Sequence, residues 1–278
     1  MTLASLADLA QQAAAERTGL GAFNVIHLEH AAVFCRAAEA AQRPVVLQIS
    51  ENAVRYHGSL APVLTGTLAQ AAASPAPVVV HLDHAVSPDL VREAVELGVG
   101  SVMFDGSALP YQENVALTAE LVAHCHSHQV TVEAELGEVG GKNGVHDPRA
   151  RTDPDEAVAF VAATGVDLLA VAVGSSHAMT TRDAQLDLDL VRRLHAAVPV
   201  PLVLHGSSGV SDAGIQAAIR AGMTKINVST HLNVVFTQAL RAYLEENPTV
   251  VDSRRYLGAA RDAVVPEVTR LLRLYAEV

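Results

Sequence analysis

Residues 81–84 read His-Leu-Asp-His, directly after the apolar run Val78-Val79-Val80. An imidazole can bind a metal, move a proton or serve as a hydrogen-bonded core residue, and a carboxylate beside it can carry a proton. One such cluster decides nothing. Two further apolar runs also close on histidine: "LLAVAVGSSH" ends at His177 and "VPLVLH" at His205. Zinc sites that keep an open position use three protein ligands of histidine or carboxylate type. His84, His177 and His205 would supply that set. Along a strand, residues 81 and 83 share one face and 84 takes the other. His81 and His84 are therefore not expected to hold the same ion, and His81 reads as a hydrogen-bonded structural residue. Asp83 reads as a partner to a ligand or as a general base.

Positioning these groups takes several strands that end on one rim. Eight short apolar runs qualify, at 21–26, 44–50, 77–83, 100–106, 130–136, 168–174, 200–206 and 225–230. Helical patterns lie between them, such as "SPDLVREAVELG", with Ser at the cap, Pro in the first turn and Gly at the end. Near-continuous apolar strands are what a parallel sheet covered on both faces requires. Eight β/α units in 278 residues predict a single-domain TIM (β/α)8 barrel over residues 1–278, with an N-terminal helix and a final helix at about 258–276. A doubly wound open sheet fits less well, because no Gly-rich dinucleotide loop follows the first strand.

A barrel enzyme carries its chemistry at the C-terminal ends of its strands. Those ends supply Asn24, then Gln48 and Ser50, then His81 to His84, then Asp105 and Ser107. Strand 5 offers Glu133, Glu135 and Glu138, and strand 8 offers Asn227, Ser229 and Thr230. The run "HGSSGVSDAG" after strand 7 and "NVST" after strand 8 fall where this fold recurrently holds phosphate.

Composition bounds the partners. The formal net charge is −11, which argues against a nucleic-acid backbone. No apolar run approaches the ~18–20 residues that cross a bilayer. The N-terminal stretch has no basic flank and carries Asp8 and Glu16, so it reads as an amphipathic helix and not as a signal peptide. Cys35 and Cys125 form no metal-type spacing. The expectation is a cytoplasmic protein with reduced thiols and no membrane partner.

The blocks "GAFNV", "PVVLQIS", "VVVHLDHA", "SVMFDGSALPYQENVALT", "VEAELGEVGG", "GVDLLAVAVGSSH", "LVLHGSSGV" and "KINVST", in that order, resemble the class II, metal-dependent ketose-bisphosphate aldolases. The resemblance covers essentially the whole chain. It implies one zinc ion per chain on His84, His177 and His205, and a monovalent cation, sodium or potassium, near the phosphate. It implies Asp83 as the acid/base residue and Glu135 as a carboxylate near the metal. It implies Gly206, Ser208, Asn227 and Thr230 around the dihydroxyacetone-phosphate end, and the rim residues Asn24, Ser50 and Ser229 are counted with them as substrate-binding. Arg254 matches an arginine that reaches the distal phosphate from a neighbouring subunit, so a homodimer or homotetramer is implied. The implied reaction splits a phosphorylated ketose such as fructose or tagatose bisphosphate. Lys142 and Lys225 are the only lysines; Lys225 is expected at the start of strand 8, away from the rim, so a Schiff-base mechanism is not expected.

The chain departs from the family pattern at Ile26, at Lys142 and Asn143, in the loop "AMTTRD" after His177, at Ser229 and at Ser253. The metal and proton residues are kept while substrate-facing positions change. Other phosphorylated keto sugars, or a non-catalytic sugar-phosphate sensor, stay open. A metal-dependent hydrolase is disfavoured: it would want His-x-His closing strand 1 and Asp closing strand 8, where this chain has "NVIH" and Asn227.

Overall fold

The structure is a computed structural model and describes residues 3–136 and 151–278. Glu138, Lys142, Asn143 and the rest of the loop at 142–147 lie outside the described residues. Eight parallel strands close into a barrel in sequence order. They are β1 (Leu20–Asn24), β2 (Val45–Ser50), β3 (Val78–Ala85), β4 (Ser101–Phe104), β5 (Thr131–Leu136), β6 (Leu168–Val171), β7 (Leu202–Leu204) and β8 (Met223–Val228).

The helices are α1 (Leu6–Glu16), α2 (Leu28–Ala41), α3 (Glu51–His57), α4 (Ala61–Ala73), α5 (Pro88–Glu96), α6 (Tyr111–Ser127), α7 (Pro154–Thr164), α8 (Leu188–Ala197), α9 (Asp212–Ala221), α10 (Thr230–Glu246) and α11 (Ser253–Ala276). Their starts follow local chemistry. Ser5, Ser50, Ser87, Asp153, Asp187 and Ser211 each accept a backbone N–H in the first turn of the helix they open. The last helix begins five residues earlier than the sequence pattern suggests, because Asp252 caps it at Arg254.

Two apolar cores follow from the period of two along each strand. Outward residues such as Val45, Leu47, Val80 and Leu82 pack against the helices. Inward residues Leu20, Ala22, Val46, Val79, Met103, Leu168, Ala170 and Val203 fill the lower barrel, and Leu6, Ala10 and Ala13 of α1 cover its base. Each further step of two along the strands moves toward the rim and becomes polar: Val79, His81, Asp83 on β3, and Val46, Gln48, Ser50 on β2. Lys225 is not at the strand start. It is the third residue of β8, fully buried, and its ammonium reaches the middle of the barrel.

Candidate active site

The three histidines come together at the C-terminal rim. One ligand atom from each of His84, His177 and His205 lies within 4.8 Å of the others. Their ring centroids are 4.6–5.7 Å apart. They arrive on three different segments: the end of β3, the loop after β6 and the residue after β7.

His84 reaches the rim by breaking the strand rule. Its φ is 49°, in the left-handed region, and the β3–β4 register shifts between Leu82 and Ala85. Alternation would send His84 to the helix side. The turn at this residue lets Asp83 and His84 serve one site, while His81 stays inside, with Nδ1 2.7 Å from Ser101 Oγ. His81 is fully buried, and burial, aided by Lys225, lowers its pKa to about 3, so it is neutral.

Two carboxylates orient two of the three imidazoles. Asp105 Oδ2 lies 2.8 Å from His84 Nδ1, which leaves Nε2 for the site. Glu133 Oε1 lies 3.0 Å from His205 Nε2, which leaves Nδ1. That Nδ1 is buried and lies 3.2 Å from Glu135 Oε2, outside hydrogen-bond geometry. Burial works against a charged His205, but Glu133 and Glu135 outweigh it and push its pKa up to about 9. Asp83 is 2% exposed. Burial would raise its pKa, but His84, Lys225 and His205 outweigh that and hold it below the usual carboxylate range. Its Oδ2 accepts from Asn24 Nδ2 at 3.3 Å, and its Oδ1 is buried without a hydrogen bond.

The donor chemistry fits a divalent ion of the zinc class. Three imidazoles converge, two of them with the second ring nitrogen held by a carboxylate, as metal-bound histidines usually are. Among the described residues, His84, Asp105 and Glu135 form a second such group of atoms.

The sequence profile described as "Fructose-bisphosphate aldolase class-II" matches residues 4–277. The chain belongs to the class II fructose-bisphosphate aldolase family. A fructose-bisphosphate aldolase of Geobacillus stearothermophilus is 36% identical over 277 residues, 98% of this chain and 96% of the relative. The crystal structure of the YdjI aldolase from Escherichia coli K12 superposes with a TM-score of 0.86 at 34% identity, covering 99% of this chain and 97% of that one. A Campylobacter jejuni fructose-bisphosphate aldolase structure, 20% identical, shares the fold at a TM-score of 0.81, covering 97% of this chain and 93% of its own. Family and relatives place this chain among aldolases, which are carbon–carbon lyases.

In this aldolase the other residues singled out from the sequence divide into two groups. Asn24, Asn227, Gly206, Ser208, Ser229 and Thr230 all lie at strand ends or just beyond them. Gly206 has φ 65°, and a Cβ there would meet the Ser176 backbone at 2.6 Å, so the loops after β6 and β7 can approach only through a glycine. Ser208 Oγ accepts from the backbone N–H groups of Ser229 and His231, tying the loop after β7 to the start of α10. Ser229 gives α10 no side-chain cap. Ser50 spends its hydroxyl on the N–H of Ala53. The loop "AMTTRD" is anchored to the next loop, with Arg182 donating to Val210 O and to Asp212. Arg254 stands apart: its side chain is 89% exposed and bound to Asp252.

Asp105, Glu133, Gln48 and Lys225 are the neighbours of the candidate site whose contacts the sequence did not reveal. A carboxylate closing the strand next to a candidate ligand was the available signal for Asp105. For Glu133 it was the spacing of two from Glu135, which puts both on the inner face. No described helix is long and apolar enough to cross a membrane.

Proposed function

We propose that this aldolase is zinc-dependent and splits a phosphorylated ketose, a ketose 1,6-bisphosphate first among them, into dihydroxyacetone phosphate and an aldehyde. The observation that carries the reading is the convergence of three imidazoles beside Asp83, an ionised carboxylate with one unpartnered oxygen. His84, His177 and His205 would hold the ion. When bound, it would supply Lewis-acid polarisation of the substrate carbonyl, worth several kcal/mol of charge stabilisation.

Asp83 Oδ1 takes the C4 hydroxyl proton. The electron pair of that O–H bond becomes the new C4 carbonyl as the C3–C4 bond breaks. Its bonding pair stays on C3 as the enediolate of the dihydroxyacetone half. A positioned base contributes about 10²–10⁴-fold to such a step. Asn24 holds the other carboxylate oxygen, so Asp83 keeps one orientation. Glu135, fully buried beside His205, stabilises the positive charge gathered at the site.

Gly206, Ser208, Asn227, Ser229 and Thr230 would hold the phosphate of the dihydroxyacetone half at the start of α10, where the helix dipole favours an anion. A monovalent cation fits the same anionic end. Arg254, with an exposed side chain, is suited to the distal phosphate in a neighbouring subunit of a homodimer or homotetramer.

The test is a coupled assay of dihydroxyacetone phosphate release over a panel of phosphorylated ketoses. It is run before and after zinc is stripped with a chelator and restored. Release from at least one ketose that vanishes on stripping and returns with zinc is the expected result. Release that survives stripping would sink the metal assignment, and no release from any ketose would sink the cleavage reading.

A further inference from the structure

We propose that Lys225 is a positioning residue that sets the hydrogen-bond sense of three chains, each ending on a different group of the site. The inference rests on the metal-dependent reading above and extends it below the rim.

Lys225 is fully buried in the barrel. Its Nζ donates to Gln48 Oε1 at 2.7 Å and to Asn227 Oδ1 at 2.9 Å, and ion-pairs with Glu133 Oε2 at 2.9 Å. An ammonium has three donors and no acceptor. Every partner must therefore turn an oxygen toward it. For an amide side chain, whose oxygen and nitrogen are otherwise interchangeable in outline, this decides which end faces away.

The first chain runs through Gln48. With Oε1 committed to Lys225, its Nε2 donates to Asn24 Oδ1 at 3.3 Å. Asn24 Nδ2 is then the end that donates to Asp83 Oδ2. Asp83 meets a donor on that oxygen and keeps Oδ1 for a substrate proton. The second chain is one residue long. With Oδ1 on Lys225, Asn227 aims Nδ2 away, and that atom is buried without a hydrogen bond. It stands ready as a donor to a substrate oxygen. The third chain runs through Glu133. Ionised and held by Lys225, the carboxylate can only accept, so His205 must carry its proton on Nε2. Nδ1, the atom that faces the site, is thereby the nitrogen of His205 whose proton a metal would displace.

A lysine that merely filled the barrel would not give the following result. In Glu133→Gln, Lys225 still demands an oxygen, so the new side-chain amide must turn its NH2 group to His205. The His205 proton then moves to Nδ1, where it blocks metal. When Lys225→Met is added, that amide is free to flip and offer His205 its oxygen again. The expected order of zinc affinity is wild type, then the double variant, then Glu133→Gln alone. Replacing an outer partner of a metal ligand costs about 10–100-fold. The double variant should fall near the lower end and the single variant near the upper end.

The measurement is competition for zinc against a calibrated chelator on the full chain, with circular dichroism as the check on folding. Wild type that binds no zinc overturns the metal reading and this inference together. Zinc on wild type, with Glu133→Gln binding as tightly as wild type, overturns this inference alone. So does a double variant that binds no more tightly than Glu133→Gln. Should that double variant not fold, Glu133→Gln with Lys225→Leu takes its place in the same comparison.

Discussion

Gly206→Ala joins backbone conformation to the site in a single atom. Gly206 follows His205 and has φ 65°. An alanine held there takes on left-handed strain of roughly 1–2 kcal/mol. Its Cβ would also stand 2.6 Å from both C and O of Ser176, where ordinary contact begins at 3.4 Å. The obstacle is backbone, so it cannot rotate away: one loop must retreat by about 0.8 Å. Ser176 is the neighbour of His177, and His205 is the neighbour of Gly206. The retreat therefore separates two of the three imidazoles directly. A displacement near 1 Å can cost about 10²-fold in a positioned reaction. In a chain of this size the strain alone should lower the melting temperature by roughly 2–8 °C. The assays are thermal unfolding, zinc competition and kcat for dihydroxyacetone phosphate release. A folded variant with the melting point of the wild type, undiminished zinc affinity and full kcat would show that the two loops are not held together by this glycine.

Three further outcomes follow from the same geometry. His84→Ala and His205→Ala should each strip the protein of its bound zinc, about one ion per chain in wild type, by metal analysis of the purified protein; ions retained in full by both would refute the ligand set. Asp83→Ala should keep zinc but lose about 10²–10⁴-fold in kcat, and wild-type turnover would end its role as base. Acid stability should depend on His30, whose Nδ1 accepts the N–H groups of Ile26 and His27 at the start of α2. Burial, aided by His27, lowers its pKa from 6.5 to about 4. The unfolded chain thus takes the proton first, and stability falls as pH drops from about 6.5 to about 4, by up to roughly 3 kcal/mol. His30→Gln keeps an acceptor at this position and should remove that share of the loss in urea unfolding at pH 7 and pH 4.5; an unchanged difference between the two pH values would reject it.

The barrel was legible because its signals are local and repeated. Capping serines and aspartates, apolar runs of strand length and glycines after helices recur around the ring. The ends of elements were less legible. Strand β6 is shorter than its apolar run, because Ala172 and Val173 stay buried in the loop beyond the ladder. In the sequence, a buried loop valine looks the same as a strand valine. The start of α11 is hidden for another reason: Asp252 acts as a cap through one hydrogen bond to Arg254, and an aspartate before a serine is as common in a loop.

The site was legible as residue types and not as connections. A histidine at the end of each of three strands is visible in one dimension. That His84 lies beside Asp83 on the same site is not, because the period of two forbids it and only the left-handed turn at His84 permits it. Lys225 shows the same limit from below. The apolar run begins at this lysine, which puts it at the strand start; the strand in fact begins at Met223, two residues earlier. That shift moves Lys225 up by about 7 Å at ~3.4 Å per residue, from the base of the barrel to the level of Gln48 and Glu133. A lysine at the base would be a solvated charge with no bearing on the rim. At mid-barrel its ammonium donates to Gln48 and Asn227 and ion-pairs with Glu133, groups that lead to Asp83, Asn227 and His205. The register of one strand thus decides whether one of this aldolase's two lysines is surface charge or part of the site.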